Sequence, residues 1–488
     1  MTKKIQLFIL IIILLGAFTI RLYRFTNPIA DWHAWRQTDT SSVSRNFIKY
    51  GFNVLYPRFD DISNIPSGKD NPQGYRFVEF PIYNVLQAGF YKIFDKFTLV
   101  EWGRLVSIIS SLISIIFIYL LVKKYADHTA ALFAAFFYAF LPFNIYYGRS
   151  ILPDPTMAMA ILGGIYFFDK WLDKSIAKKT MNWLWYLTSL VLTASALLLK
   201  PYAIFFTLPI IYLVFYKLGF NFYKKWQLYV YIIFALTPLI LWRVWMTQYP
   251  EGIPASDWLF NAGNIRFKGA FFFWLFADRI GRLILGYWGL IIFGFGIISL
   301  ARKKFVQKNL FLVSFLVSSF LYLVVIARGN VQHDYYQILI IPSLSIILGL
   351  GSSLLLNLPK EYFHKKLGVI TLVTCMIFSF SFGWYHVRDY FNINNSSIIV
   401  AGKAVDELIP KNAKIIAILH GSEGDTTFLY QTNRQGWASF QNPLPELIIK
   451  GADYLVFANP TKEDQNYAKE YKLVASTQDY IIFDLHKK

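Results

Sequence analysis

The chain has 488 residues, of which 56% are apolar, 19% aromatic and only 16% charged, and it carries a formal charge of +19. Soluble domains hold roughly 45–50% apolar and about 25% charged residues, so this composition excludes disordered, collagenous and coiled-coil chains and points to a polytopic membrane protein. The charge would suit nucleic acid, but the Lys and Arg cluster in short connections between apolar runs, where they act as orientation signals facing anionic headgroups.

Lys3 and Lys4 precede the apolar run from Ile5 to Ile20, which Arg21 ends without a small-residue cleavage site. The run therefore reads as an uncleaved first helix. Further apolar runs predict spans at about 103–122, 129–147, 156–169, 183–199, 201–216, 226–246, 283–301, 309–327, 338–357 and 367–386, about eleven in all. With the N-terminus inside, the cytoplasmic connections hold Lys123 and Lys124; Lys170, Lys174, Lys178 and Lys179; Lys217, Lys224 and Lys225; Arg302, Lys303, Lys304 and Lys308; and Lys360, Lys365 and Lys366. The short connections on the other side hold Arg149, Lys200 and Arg328. This bias predicts a multi-pass protein of the cytoplasmic membrane with a cytoplasmic N-terminus.

Under that topology residues 1–386 form a transmembrane domain with a large first outer loop, 21–100, and a medium loop, 247–282. Residues 387–488 have nearly balanced charge and predict a small extracytoplasmic α/β domain. Its strand-like runs are Lys414–Leu419, Thr427–Tyr430, Tyr454–Phe457 and Tyr480–Leu485, with helical stretches at about 400–408 and 444–450. His420-Gly421-Ser422 lacks the context of a hydrolase nucleophile. Cys375 lies inside an apolar run and offers no intrachain disulfide.

Polar groups at span ends are informative because charge near hydrocarbon is costly and tends to serve function. Four places gather on the outer side. Asp31, His33, Arg36, Gln37 and Asp39 follow the first span, ahead of a helix-like stretch from Ser42 to Tyr50. Asp31 or Asp39 serves there either as a helix cap or as a general base whose acidity burial and Arg36 adjust in opposite senses. Glu79 is embedded among aromatics before the amphipathic segment Asn84–Phe94, which has the pattern of an interfacial helix. An ionised Glu79 needs a partner, and Arg76 is the local one. Arg149 and Asp154 share a short connection ending in Pro153-Asp154-Pro155, which reads as a tight turn or as a cleft acid. Lys200-Pro201-Tyr202 and the stretch from Arg328 through His333, Asp334, Tyr335 and Tyr336 either snorkel to headgroups or form a phosphate site at membrane depth.

Taken in order, Trp35-Arg36-Gln37-Thr38-Asp39-Thr40, Glu79-Phe80-Pro81-Ile82-Tyr83, Pro153-Asp154-Pro155, Leu199-Lys200-Pro201 and His333-Asp334-Tyr335-Tyr336 resemble the GT-C membrane glycosyltransferases of the protein mannosyltransferase and aminoarabinose transferase superfamily, glycosyltransferase family 39. The likeness runs through about residue 340. Aminoarabinose transferases carry Asp-Glu at the start of the first-loop helix, and the positions at matching distance from Gly51 are near Arg36 and Gln37, flanked by Asp31 and Asp39. Their Glu-Lys-Pro motif is similar to Glu79-Phe80-Pro81, with the phosphate-contacting Lys lost; Lys200 or Arg328 stands in as compensation. Asp154 and Lys200 match the second-loop acid and the Lys that follows it.

The resemblance implies a hexosyl or pentosyl transferase that moves a sugar from a polyprenyl-phosphate donor to a glycan, lipid or protein acceptor on the outer face, with inversion. It implies Asp31, Asp39, Asp154 and Glu79 as catalytic carboxylates. Arg36, Gln37, Arg149, Lys200, Arg328, His333, Asp334, Tyr335 and Tyr336 would bind substrate. No metal ligand set or essential cofactor is expected, although related oligosaccharyltransferases use a divalent ion. A glycolipid transporter and an outward-facing binding protein are the alternatives; the gathering of polar residues at one face, with apolar spans, favours the enzyme.

Overall fold

The computed structural model describes residues 2–178, 182–301, 306–358, 365–440 and 442–486. Of the expected cytoplasmic cations, Lys179, Arg302, Lys303, Lys304 and Lys360 lie outside the described residues, as does the side chain of Lys178. In chain order the helices are α1 (Lys3–Arg21), α2 (Ala34–Tyr50), α3 (Ile82–Ile93), α4 (Leu99–Tyr125), α5 (His128–Phe140), α6 (Pro142–Tyr147), α7 (Asp154–Lys178), α8 (Trp183–Leu199), α9 (Leu208–Leu218) and α10 (Trp226–Met246). They continue with α11 (Trp258–Asn261), α12 (Gly269–Phe272), α13 (Gly289–Ala301), α14 (Val306–Val325), α15 (Ala327–Gln332), α16 (Ile341–Leu356), α17 (Lys365–Val387), α18 (Ser397–Leu408), α19 (Thr426–Gln431) and α20 (Leu444–Ile449). The strands are β1 (Ile415–Leu419), β2 (Gly436–Trp437), β3 (Tyr454–Ala458), β4 (Lys472–Ser476) and β5 (Tyr480–Asp484).

Two compact units emerge. One comprises Met1–Tyr23, Leu105–Trp242 and Ser256–Arg388; the other comprises Arg24–Arg104, Arg243–Ala255 and Asp389–Lys488.

The first unit is all helical. Every apolar run read as a span has a helical counterpart, but length and composition alone qualify seven helices among the described residues, and a bent pair makes eight. The remainder fall short for local reasons. Pro142 starts a new helix and stops α5 at 13 residues, α8 has 17, and α7 carries Asp154, Asp169 and Asp173. The run at 283–301 is not one straight span. A π-helical segment, Phe273–Ile284, meets α13 at 111°, across Gly286 and Tyr287 with φ of +51° and +58°. A Cβ on Gly286 would lie 2.1 Å from the Ser379 carbonyl, so the corner admits only glycine.

The long helices differ in how much protein covers them. In α1 and α10 only 22% of the spanning window is buried, which leaves most of their apolar surface for lipid, whereas the Asp334–Leu356 stretch ending in α16 is 100% buried. Small residues make that possible. A Cβ on Gly349 would lie 2.4 Å from the Ala130 carbonyl of α5, and one on Gly351 would lie 2.0 Å from the Ile292 carbonyl of α13. The ends of α4, α7 and α9 are tied by charge: Lys124 and Lys217 both pair with Asp169 and with Asp173, the latter at 2.5 and 2.6 Å.

The second unit is built on a five-stranded sheet of order β2-β1-β3-β5-β4, with β2, β1 and β3 parallel and β5 and β4 antiparallel. The central strands are buried on both faces, by α18 and α19 on one side and by Phe440, Leu447 and Tyr467 on the other. Strands β1, β3 and β5 and helices α18 and α20 follow the sequence expectation. Thr427–Tyr430 does not: it is helical, because the Asp425 carboxylate accepts a hydrogen bond from the Thr427 amide at 2.7 Å and caps α19. Strand β4, largely exposed at the sheet edge, was not expected from its pattern. The first loop joins the same sheet. The Ile62 amide donates to the Gly436 carbonyl at 2.9 Å, and the Gly436 amide donates to the Asp60 carbonyl at 3.0 Å, so residues 60–62 extend the β2 edge.

Candidate active site

The sequence-selected residues fall into two groups, one in each unit. In the sheet-containing unit, α2 begins at Ala34, about two turns before the expected start at Ser42, and its N-cap position is His33 in the left-handed region at φ 52°. Neither Asp31 nor Asp39 caps it. Asp39 instead sits in the second turn, where it meets two guanidinium groups. Arg76 donates through Nε and Nη2 to its two oxygens at 2.8 and 2.9 Å, and Arg36 donates through Nη1 at 2.7 Å. Burial alone would raise the Asp39 carboxyl, but Arg76 and then Arg36 outweigh it and hold the group below the ordinary carboxylate range. Arg36 also pairs through Nη2 with Glu79. The expected Arg76–Glu79 pair is therefore replaced by a chain, Arg76–Asp39–Arg36–Glu79. Arg76 is drawn to Asp39 while its guanidinium lies 4.8 Å from the Phe59 ring centroid.

Asp31 has a different setting. It is 2% exposed, and Gln37 Nε2 donates to its Oδ1 at 2.8 Å and to the Trp32 carbonyl at 3.2 Å. It lines a cleft of about 400 Å³ together with Trp32, His33, Trp35, His420 and Asp425. Trp32 stacks on Tyr390 at 4.8 Å, so one ring face is already covered. His420 and Asp425 reach this cleft from the end of β1 and from the α19 cap. The sequence reading set His420 aside for want of a nucleophile context and missed Asp425, which has the local pattern of an ordinary helix cap; in the fold His420 pairs with Asp464.

Asp61, close by on the β2 edge, titrates in the opposite sense to Asp39. Burial pushes it up to about 6 despite bonds from Ser63. Between about pH 4, the ordinary unfolded value, and pH 6 the folded chain holds a proton that the unfolded chain has released, so stability falls as pH rises through that window. Asp61→Asn is expected to flatten this slope, with a melting temperature at pH 7 at or above that of the parent chain; thermal unfolding at pH 4, 5, 6 and 7 checks it.

In the helical unit the residue before Pro201 is forced into an extended conformation, and Lys200, at φ −154° and ψ 122°, breaks the chain away from α8. Its ammonium group lies 3.3 Å from Asp154 Oδ1 and 5.7 and 5.5 Å from the ring centroids of Tyr335 and Tyr336. Asp154 opens α7, where a carboxylate suits the helix dipole. Tyr147 donates to Asp334 at 2.6 Å, and the His333 ring stacks beside Tyr335 at 5.6 Å. Arg149, 1% exposed, stacks over Tyr146. Thus Asp154, Lys200, His333, Tyr335 and Tyr336 come together, and Asp334 is anchored by Tyr147, a partner the sequence reading did not select. Arg328 lies on α15 beside Gly329, whose Cβ would meet Tyr336 at 3.2 Å; it has no hydrogen-bond or ion partner among the described residues. No group of three or more His, Cys, Asp or Glu that could hold a metal ion occurs among the described residues.

A polytopic helical region with a small α/β unit is the architecture expected from the sequence, and comparison with known proteins finds a family model that matches part of the chain and solved structures of similar fold. Residues 75–245 match the family model described as dolichyl-phosphate-mannose-protein mannosyltransferase. The fold is similar to that of ArnT from Cupriavidus metallidurans bound to undecaprenyl phosphate, with 14% identity, 97% of each chain covered and a TM-score of 0.65. It is also similar to the Archaeoglobus fulgidus oligosaccharyltransferase, with 11% identity, 94% of this chain and 69% of that one covered, and a TM-score of 0.61. That oligosaccharyltransferase is also known tethered to an acceptor peptide, where the TM-score is 0.58. No curated protein matches by sequence.

Proposed function

We propose that the chain is an integral membrane enzyme that transfers a hexosyl or pentosyl group from a polyprenyl-phosphate-linked donor to an acceptor on the outer face of the cytoplasmic membrane, with inversion. The observation that carries the reading is Asp31: a buried carboxylate that accepts a hydrogen bond from Gln37 on the wall of an aromatic-rimmed cleft. Such a group can accept a proton from an acceptor hydroxyl or amine. As it does so, the acceptor lone pair attacks the anomeric carbon, the bond from that carbon to the phosphate oxygen breaks with its electron pair, and polyprenyl phosphate leaves. Asp39, with both oxygens committed to arginines, serves to orient Arg36 and, through it, Glu79.

In the helical unit Lys200, backed by Tyr335 and Tyr336 and oriented by Asp154, and Arg328 on α15 supply the charge for the lipid phosphate and for the negative charge that develops as it leaves. The bound undecaprenyl phosphate of the structurally similar ArnT supports that donor class, and the tethered peptide of the oligosaccharyltransferase supports a macromolecular acceptor. The cytoplasmic N-terminus is supported by Lys123, Lys124, Lys217, Lys224 and Lys225, since the ends of α4, α7 and α9 share one ion-pair cluster.

The test is transfer of labelled sugar from endogenous polyprenyl-phosphate donors in membranes holding matched amounts of the parent chain, Asp31→Asn, Asp39→Asn and Asp154→Asn. Transfer undiminished in all three variants would remove the carboxylate mechanism. Lys200→Gln is expected to raise KM for the lipid-linked donor by roughly tenfold or more, the weight of a charge-assisted phosphate contact; steady-state kinetics against donor concentration in mixed micelles checks it.

A further inference from the structure

A second cleft of about 430 Å³ opens in the sheet-containing unit, lined by Asn46, Asn53, Tyr56, Arg58, Tyr75 and Tyr249 among others, and it shares no lining residue with the Asp31 cleft. Its volume falls in the range of about 300–1,000 Å³ usual for small-ligand sites. Three of the rings form one cluster: Tyr56, Tyr75 and Tyr249 have centroids 5.3–5.8 Å apart, and the Tyr56 and Tyr249 hydroxyls are 3.1 Å apart.

Two polar groups in this wall are left over after the protein's own bonds are made. Asn46 is 3% exposed, and its amide nitrogen donates to the Arg58 carbonyl at 3.1 Å and to Asp60 Oδ1 at 3.3 Å, which fixes the side chain's orientation; its Oδ1 is buried with no hydrogen-bond partner. A buried orphan acceptor is unusual enough to need an explanation. The Arg58 guanidinium lies 5.5 Å from the Tyr75 centroid and has no hydrogen-bond or ion partner among the described residues. No carboxylate lines the cleft, and the Asp60 carboxylate beneath it is held by Arg45.

Ring faces, an amide acceptor and an uncommitted guanidinium together suit a ligand with an apolar C–H face, hydroxyl donors and a negative charge. We propose that this cleft is a saccharide subsite that takes an acidic sugar residue, its C–H face on the tyrosine rings, a hydroxyl donating to Asn46 and its acidic substituent on Arg58. That the bound sugar belongs to the acceptor rests on the transferase reading; that the cleft binds an acidic saccharide does not.

The purified full chain in nanodiscs, with no donor present, is titrated calorimetrically with trigalacturonate as the acidic probe and maltotriose as the neutral one. Trigalacturonate is expected to bind saturably and roughly tenfold or more tighter than maltotriose, the weight of one charge-assisted contact. Arg58→Gln is expected to erase that difference, Tyr249→Ala to weaken both ligands by about tenfold, and Tyr249→Phe, which keeps the ring, to retain binding. Arg58 and Tyr249 are only partly buried, so both variants should keep the parent melting temperature. Absence of saturable binding by either probe, equal binding of both, or trigalacturonate binding that survives both Arg58→Gln and Tyr249→Ala overturns the proposal. Because no donor is present, failure here leaves the transfer assay untouched, and failure of transfer leaves this titration valid.

Discussion

Asp31→Asn is expected to lower sugar transfer by about 10²–10⁴-fold, the usual worth of a general base, while the protein remains folded. The substitution keeps size and shape and leaves an amide oxygen able to accept the Gln37 bond at Oδ1. The Gln37 contact is thereby kept, so little stability should be lost. The decisive readout is a kcat drop at matched protein amount with an unchanged melting temperature and little change in donor KM. A variant with parental kcat would move the base away from this cleft, and the transfer chemistry would have to be sought elsewhere.

Asp39→Asn should do something different: it should destabilise the sheet-containing unit by about 3–5 kcal/mol, because removing one partner of a buried pair leaves the others uncompensated. Here two cations lose their common anion. Arg36 is 6% exposed and Arg76 14% exposed at the side chain, so neither can turn fully to water. The pH dependence has a definite sign. Asp39 is depressed in the folded chain, so its stabilisation is fully present above the unfolded value of about 4 and is lost as pH falls below it through the folded value. Chemical or thermal unfolding of Asp39→Asn at pH 7 and of the parent chain between pH 6 and 3 measures both effects. A combined Asp39→Leu and Arg76→Leu change, which removes the pair together, should recover part of the loss. Activity will fall in Asp39→Asn as well, but alongside the melting temperature, and that separates it from Asp31→Asn.

Spans and strands announce themselves by local pattern, and those were legible. Apolar length marked the long helices of the membrane region but not α11, α12 or most of the Phe273–Ile284 helix, which fall in the stretch read as a medium loop; β1, β3 and β5 each follow a run of β-branched and aromatic residues between turn signals. The first half of α2 was not legible, because Arg36-Gln37-Thr38-Asp39-Thr40-Ser41 reads as a polar loop; these residues are buried and bonded to partners distant in the chain, so no apolar stripe betrays the helix. Thr427–Tyr430 misled in the reverse way, with strand-forming residues bent into a helix by the Asp425 cap. In the candidate site, residue type and span-end position singled out Asp31, Asp154 and Lys200. What they could not show was partnership: Arg76 lies three residues from Glu79 yet pairs with Asp39, 37 residues away, and residues 60–62 pair with Gly436 from the far end of the sequence. Sequence proximity favours the nearer ion, whereas the fold decides which carboxylate a guanidinium reaches.

The fully covered helix α16 has a consequence for how the protein is made. A span that presents no face to lipid has nowhere to rest until its neighbours exist, and the two helices whose carbonyls crowd Gly349 and Gly351, α5 and α13, both precede it in the chain. Synthesis therefore delivers these two walls before the occupant, and α17, whose Gly368 lies against the Leu355 carbonyl of α16, covers it afterwards. A nascent chain halted ahead of α16 would hold open a slot lined by backbone carbonyls in the hydrocarbon layer, an exposed defect that membrane quality control can read as unfinished work.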